Sequence, residues 1–184
     1  MIKINMGCGW RNFGPEWIHI DGGEYDHLDY HDITKLQFNS NTVDIIYASH
    51  VLEYFDRNQV IPLLQEWHRV LKPNGILRIA VPDFFAMINL YHTHQHIVLE
   101  DLLGPLYGKM DMGTETIYHK TTYDFDSLSK VLLSCNFKNI TRYNWKEYDV
   151  HANNDDHSQA YLNPKGDKEN GTLISLNIEC NKIG

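Results

Sequence analysis

Several features that would settle the class of this protein at once are missing from its sequence. No apolar run reaches the roughly 18 residues that a membrane-spanning helix needs. The first residues contain no long apolar segment followed by a small-residue cleavage site, so a secretory signal peptide is not indicated. The three cysteines, Cys8, Cys135 and Cys180, form no CxxC pair, which argues against a disulfide framework or a zinc site. We therefore expect a cytoplasmic protein.

Clusters of basic residues are also missing. The chain has 16 Lys and Arg against 24 Asp and Glu, a formal net charge of −8. Nucleic-acid binding normally needs a basic stripe, so we expect no nucleic-acid partner. Histidine is abundant, and His92, His94 and His96 alternate, a pattern that metal sites can use. Because no Asp, Glu or Cys is spaced with them as a further ligand, we predict a solvated surface segment and no metal.

The order of the predicted elements indicates an α/β fold. The 184 residues suffice for one core, and we predict a single domain over residues 1–184. Apolar runs alternate with amphipathic helices in the first half, which is typical of a parallel sheet. The predicted strands are Ile2–Met6, Trp17–Asp21, Tyr30–Ile33, Val43–Ser49, Ile76–Val81, Asn139–Tyr148 and Thr172–Asn181. The predicted helices are Gln59–Leu71, Asp83–Tyr91, Val98–Leu106 and Phe125–Cys135, and His151–Asn170 is predicted as a long functional or mobile loop.

A glycine-rich turn follows the first predicted strand. In residues 5–9 (NMGCG), the glycines allow the backbone to approach a ligand closely, as in sites for dinucleotides or for S-adenosylmethionine. A dinucleotide site needs the pattern GxGxxG, but Asn12 occupies the third glycine position. Only residues 7–16 separate the first two strands, near the lower limit of about 10 to 12 residues for a parallel crossover. Both observations argue against NAD or FAD.

Two acidic residues end the next predicted strands. Ligands of parallel sheets bind beyond the carboxyl ends of the strands. Asp21 is placed there to accept both ribose hydroxyls, and Asp32 to accept from an adenine amino group while apolar neighbours hold the ring. Either residue alone is more often a turn residue. Together, after a glycine loop, they predict an adenosine site.

The sequence resembles the class I S-adenosylmethionine-dependent methyltransferases of the small type 11-like kind. The resemblance rests on INMGCG (Ile4–Gly9), WIHID (Trp17–Asp21), HDI (His31–Ile33), VDIIYASHVLEYF (Val43–Phe55), EWHRVLKPNGILRIAVPD (Glu66–Asp83) and Phe125–Tyr143. It implies a Rossmann-like fold with a seven-stranded, mostly parallel sheet, an antiparallel last strand and helices on both faces. Because the chain begins at its first strand, the N-terminal helices that often cover the substrate are expected to be absent.

The resemblance also implies S-adenosylmethionine as the cofactor. The two glycines would pass beneath its methionine part, Asp21 would hold the ribose, Asp32 and Ile33 would meet the adenine, and the residues after the fourth strand would line the methionine side. Tyr54 stands where many relatives have His, and an acid is more common at position 5. The predicted cofactor-binding residues are Asn5, Gly7, Cys8, Gly9, Asp21, Gly22, Asp32, Ile33, Ser49 and His50.

Methyl transfer from a sulfonium depends largely on positioning, so no fixed catalytic motif is expected. A hydroxyl acceptor is helped by a general base, for which His50 and His119 are the candidates. The methyl acceptor is unidentified, and we favour a sugar or polysaccharide hydroxyl because relatives of this short type often modify glycans. The alternative is a non-catalytic module with the same fold that binds cofactor or a partner. Homo-oligomerisation is left open.

Overall fold

A computed structural model describes residues 1–113, 115–148, 150 and 154–183. Its strands are β1 (Lys3–Met6), β2 (Trp17–Ile20), β3 (Val43–Ser49), β4 (Leu71–Pro82), β5 (Met110–Asp111), β6 (Thr116–Ile117), β7 (Phe137–Arg142), β8 (Tyr161–Leu162), β9 (Thr172–Leu173) and β10 (Ser175–Lys182). Its α-helices are α1 (Arg57–Val70), α2 (Phe84–Thr93), α3 (Leu99–Tyr107) and α4 (Phe125–Ser134). None of these helices is long and apolar enough to cross a membrane.

The main sheet is mixed, with the strand order β2-β1-β3-β4-β10-β7. Strands β1 to β4 pair in parallel, and β10 is antiparallel to both of its neighbours. The predicted sheet with an antiparallel last strand is therefore confirmed, but it has six strands instead of seven. The predicted third strand is reduced to one parallel bridge between Ile20 and Tyr30. It stops there because the Asp32 carboxylate accepts from the Thr34 and Lys35 amides and bends the backbone.

The main core lies between one face of the sheet and helices α1 and α4. Helix α1 begins at the predicted capping box, in which Asp56 accepts from the Gln59 amide and the Gln59 side chain accepts from the Asp56 amide. Its apolar positions recur every three or four residues and so face the sheet together. The largest fully buried side chains of this core include Ile4, Met6, Ile46, Leu64, Trp67, Leu77, Ile79 and Phe137.

The residues that alternate with this core along the strands are polar and face the other way. Asn5, Tyr47 and Asn177 are buried there. Residues 7–16, the first crossover, form no helix that could cover them. The 3-10 helices Trp145–Glu147 and His157–Gln159 and an aromatic cluster cover this face. Helices α2 and α3 pack with β8 and β9 in a separate cluster.

The segment predicted as a long loop carries regular structure in its described part. Residues 151–153 lie outside the described residues. Beyond them, the chain forms the 3-10 helix His157–Gln159 and strand β8, which pairs with β9. The Tyr47 hydroxyl donates to Asp156 at 2.6 Å, and the Asn177 side-chain amide donates to the Ser158 carbonyl at 2.9 Å. The segment is therefore fastened to the polar face of the sheet.

Trp67 provides the test of this core. Its ring is fully buried, and its indole N–H donates to the Ile33 carbonyl at 2.9 Å. We expect Trp67→Ala to lower the free energy of unfolding by about 3–5 kcal/mol, because a large cavity opens. Urea denaturation followed by circular dichroism measures this. Leu133→Ala, on the exposed side of α4, is the control and should cost less than about 0.5 kcal/mol. Equal losses in both variants would contradict the assignment of the core.

Candidate functional site

The two glycines after β1 have different structural roles. Gly7 and Gly9 both have left-handed backbone angles, with φ of +61° and +57°. A Cβ on Gly7 would lie 2.3 Å from the Val51 Cγ2 atom, so packing itself excludes a side chain there. A Cβ on Gly9 would meet no heavy atom within 4 Å. The space above Gly9 is therefore open to a ligand.

Asp21 fastens this glycine loop to the end of β2. Its carboxylate is almost fully buried and accepts from the Gly9 amide at 2.8 Å and from the Gly23 amide at 2.7 Å. Each carboxylate oxygen has a further lone pair, so a ligand hydroxyl can still donate to it. Gly22 lies between Asp21 and Gly23 in the sequence, and a Cβ there would lie 3.7 Å from the Met112 Cε atom.

Cys8 lies between the two glycines and is buried. Its sulfur is 3.7 Å from the His27 Nε2 atom. Burial and the negative charge of Asp21 raise the pKa of the Cys8 thiol to about 12, so it stays protonated at neutral pH. The geometry agrees with a space-filling role and gives no support to a nucleophile.

Two of the predicted cofactor-binding side chains have buried polar atoms without a partner among the described residues. These are the Asn5 Nδ2 atom and the Ser49 hydroxyl. Both residues belong to the polar face of the sheet, since Asn5 pairs with Tyr47 and Ser49 follows two positions later. Buried polar atoms are nearly always hydrogen-bonded, so these two fit a bound polar ligand. With the open Gly9 and the Asp21 carboxylate, they make a site that fits S-adenosylmethionine.

Asp32 and Ile33 follow the single bridge between Ile20 and Tyr30, and neither of them lines the larger cavity that is described below. The Asp32 Oδ1 atom accepts from the Thr34 amide at 2.7 Å and the Thr34 hydroxyl at 2.6 Å, so part of the carboxylate stabilises a turn. The residue also borders a cavity of about 310 Å³ together with Ile20 and Tyr30. The Ile33 carbonyl accepts from the Trp67 indole, which fixes the backbone there.

His50 follows β3 with a left-handed φ of +54°, uncommon for a non-glycine residue. Its Nε2 atom is 3.2 Å from the Ser175 hydroxyl. That hydroxyl donates to the Asn177 side-chain oxygen at 2.9 Å, whose amide group in turn donates to the Ser158 carbonyl. A carbonyl can only accept, so the direction of every bond is fixed and the His50 Nε2 atom must carry a proton. In this arrangement it is not a free base.

His119, in contrast to His50, has a ring nitrogen that can accept a proton. Its Nδ1 atom is 3.0 Å from the Pro105 carbonyl, which can only accept, so the neutral ring keeps its lone pair on Nε2. Burial lowers the pKa of His119 below its usual value, although the Glu53 carboxylate opposes this. Gly108 makes room for the ring, since a Cβ there would lie 2.3 Å from the His119 Nε2 atom. His119 is therefore neutral near pH 7 and able to accept a proton.

Both predicted catalytic histidines border one cavity of about 590 Å³. The structure joins them through Glu53, a residue that the sequence analysis did not select. Its carboxylate is fully buried, with Oε1 3.0 Å from His50 Nδ1 and 3.8 Å from His119 Nε2. The ring of His157 lies 5.1 Å from that of His50. The spacing of Glu53 three residues after His50, directly behind a buried strand, was the available signal.

The alternating histidines at the end of α2 lie apart from this cavity. The His94 and His96 rings pack against each other at 5.7 Å, and the His96 Nε2 atom is 2.7 Å from the Asn163 side-chain oxygen. Across the part of the chain that the structure describes, no group of three or more His, Cys, Asp or Glu side chains has a geometry suited to a metal ion.

Comparison with known proteins gives one family match. Residues 19–79 match the family model described as "Methyltransferase domain". This stretch runs from within β2 through Asp21, His50 and Glu53 into β4. No curated protein sequence matches the chain.

Solved structures show the same fold at low sequence identity. An S-adenosylmethionine-dependent methyltransferase from Archaeoglobus fulgidus is 15% identical, with a TM-score of 0.57 and coverage of 98% of this chain and 85% of that chain. One from Methanosarcina mazei is 15% identical, with a TM-score of 0.58 and coverage of 98% and 92%. A Burkholderia thailandensis 1,6-didemethyltoxoflavin-N1-methyltransferase, solved with S-adenosylhomocysteine, is 11% identical, with a TM-score of 0.55 and coverage of 100% and 71%. The family match over residues 19–79 and the shared fold bear out the predicted resemblance to S-adenosylmethionine-dependent methyltransferases.

The two glycines allow a test that separates packing from ligand space. Gly7→Ala should lower the free energy of unfolding by about 2–4 kcal/mol, because it adds a clash with Val51 to the strain of a left-handed alanine. Gly9→Ala should cost only about 1–2 kcal/mol, the strain alone. Thermal or urea unfolding measures both, and Gly14→Ala, left-handed and open like Gly9, is the control. A Gly9→Ala loss as large as that of Gly7→Ala would show that the space above Gly9 is not open.

Proposed function

We propose that this chain, which carries the methyltransferase family match and the fold of the S-adenosylmethionine-dependent methyltransferases, is a single-domain enzyme that methylates a hydroxyl held beside His119. The observation that carries the proposal is the position of His119. Its proton-accepting nitrogen is fixed by the Pro105 carbonyl, and its ring borders the larger cavity together with His50, at the carboxyl end of β3.

The cofactor would lie across the carboxyl ends of β1, β2 and β3. Asp21 would accept from the ribose hydroxyls with the lone pairs that Gly9 and Gly23 leave unused. The unpartnered Asn5 and Ser49 atoms would bond to its methionine part. The remaining proposed contacts are the backbone of Gly7, Cys8, Gly9 and Gly22, the ring of His50, and, for the adenine, Asp32 and Ile33. Of these last two, Asp32 borders the smaller cavity.

The residues of the chain would contribute positioning and proton transfer. The bound cofactor supplies an electrophilic methyl group on a positively charged sulfur. His119 Nε2 would accept the proton of the acceptor hydroxyl as the oxygen attacks, and the Pro105 carbonyl would stabilise the resulting imidazolium through Nδ1. Holding the two reactants at the correct distance and angle accounts for most of the expected rate enhancement.

The lining of the larger cavity supports a sugar or polysaccharide hydroxyl as acceptor. At its rim are carboxylates and ammonium groups that hydrogen-bond hydroxyls well, among them Glu100, Asp101, Lys109, Asp155 and Lys165. The three cysteines are free buried thiols, as in proteins of reducing compartments, which supports the proposed cytoplasmic location.

Cofactor binding can be tested at Asp21 before any acceptor is known. Calorimetric titration should show micromolar binding of S-adenosylhomocysteine and no binding of NAD. Asp21→Ala should weaken S-adenosylhomocysteine at least about tenfold, because a ribose partner is lost and the Gly9 amide is released. Asp26→Ala, an exposed acid in the same loop, is the matched control and should bind normally. A folded wild-type protein that binds neither S-adenosylmethionine nor S-adenosylhomocysteine would contradict the proposal.

The role of His119 can be tested with labelled S-adenosylmethionine and a panel of sugar and polysaccharide acceptors. His119→Gln should lower kcat by about 10²–10⁴-fold while S-adenosylhomocysteine binding is unchanged. Because the pKa of His119 is lowered from 6.5, its neutral form persists to a more acidic pH. The wild-type kcat should therefore stay constant as pH falls from 8 towards about 6.5 and decline only below that value. A decline that begins above neutral pH would point to a different base.

A further inference from the structure

The Glu53 carboxylate lies close to the rings of both His50 and His119, but Glu53 itself does not border the larger cavity. It belongs to the short 3-10 helix Leu52–Tyr54, and its backbone carbonyl accepts from the Lys120 amide at 2.7 Å. Both its main chain and its side chain thus meet the segment that carries His119. Neither carboxylate oxygen makes a well-aligned hydrogen bond to any described residue.

A fully buried carboxylate without such bonds is costly unless a positive charge compensates it. The nearest candidates are the rings of His50 and His119, at 3.0 Å and 3.8 Å from Oε1. His50 already carries a proton on Nε2, which donates to Ser175. If its Nδ1 atom and Glu53 both lacked a proton, two lone pairs would face each other at 3.0 Å. A proton on the His50 Nδ1 atom would remove this repulsion and supply the compensating positive charge.

We propose that Glu53 is a positioning residue that shares a proton with His50 in the resting site and stabilises the imidazolium formed by His119 during methyl transfer. The inference rests on the proposed function. In the step, the O–CH₃ bond forms as the bond from carbon to sulfur breaks, and sulfur keeps the electron pair. The hydroxyl proton moves to His119 Nε2, next to the Glu53 carboxylate, and leaves for solvent with the product.

The other titratable groups around Glu53 do not compete for this role. Burial, with a smaller contribution from Glu53, raises the pKa of both Tyr54 and Tyr123 to about 12, so both stay neutral. Burial and the positive charge of His50 lower the pKa of His157 to about 4, so it is also neutral near pH 7. Burial has the largest effect on the pKa of His119 and lowers it; among the neighbouring charges, Glu53 raises this pKa and His50 lowers it.

A structural role and a positioning role predict different properties for Glu53→Gln. The variant keeps the shape of the side chain and removes its charge. If Glu53 only filled space or tied the segments together, the variant would change neither the histidine titrations nor kcat. If Glu53 is a positioning residue, the pKa of His119 falls, since burial is then opposed by no negative charge.

The experiment measures the imidazole nitrogen chemical shifts of His119 and His50 against pH in full-length wild type and Glu53→Gln, with S-adenosylhomocysteine bound. We expect the His119 midpoint to move to lower pH by about one pH unit, and kcat on the acceptor found for the wild type to fall about tenfold. S-adenosylhomocysteine affinity should not change, and Glu53→Asp should recover part of the effect. Glu179→Gln, which removes a carboxylate paired with Arg78 elsewhere on the sheet, is the matched control.

The histidine titrations and the measurement of kcat test the role of Glu53 and the proposed methyl transfer separately. If the wild type binds S-adenosylhomocysteine but methylates no acceptor, the proposed reaction fails while the titrations still test the proton shared by Glu53 and His50. Unchanged titrations of both histidines in Glu53→Gln, in a folded protein, would overturn the role of Glu53. Shifted titrations with an unchanged kcat would overturn its part in methyl transfer.

Discussion

The paired hydrogen bonds of Asp21 are the constraint on which the proposed site depends. The first crossover contains no helix whose N-terminus could place the glycine loop, so the loop must be held from the next strand. The Asp21 carboxylate does this through the Gly9 and Gly23 amides, and the Gly7 amide adds a bond to the Ile20 carbonyl at 2.7 Å. A single buried side chain thus sets the distance between the glycine loop and the end of β2, and with it the width of the ligand space.

The second half of the site is assembled from segments that are distant in sequence. His50 and Glu53 follow β3, His119 precedes α4, and Ser175 begins the last strand. A hydrogen bond joins His50 to Ser175, and the Glu53 carboxylate lies 3.0 Å from the ring of His50 and 3.8 Å from that of His119. At these distances the charge on one group affects the protonation of the others. The parallel topology brings the ends of β3 and β4 to one edge of the sheet, which explains how residues from distant parts of the chain come to border one cavity.

The glycine turn after the first strand and the position of Asp21 at the end of the second were predicted, because strand ends follow from local patterns. His50 and His119 were predicted as candidate bases, and both border the larger cavity. The fold was also predicted, apart from the third strand, which the Asp32 turn replaces. The cover of the polar face was not predictable, since Phe13, Trp17 and Trp145 meet only in three dimensions. Glu53 was missed for the same reason: its spacing to His50 was visible, but its second partner, His119, lies on another segment.

The way in which the polar face is covered has a consequence for the dynamics of the molecule. The segment from Asp156 to Gln159 is fastened by hydrogen bonds such as those of Tyr47 and Asn177, whereas α1 is held by core side chains. Elements with few apolar contacts open at a lower free energy than the core. Residues of the same segment also line the larger cavity. Substrate entry can therefore be coupled to local unfolding of this segment, with amide exchange there faster than in α1 while the core stays closed.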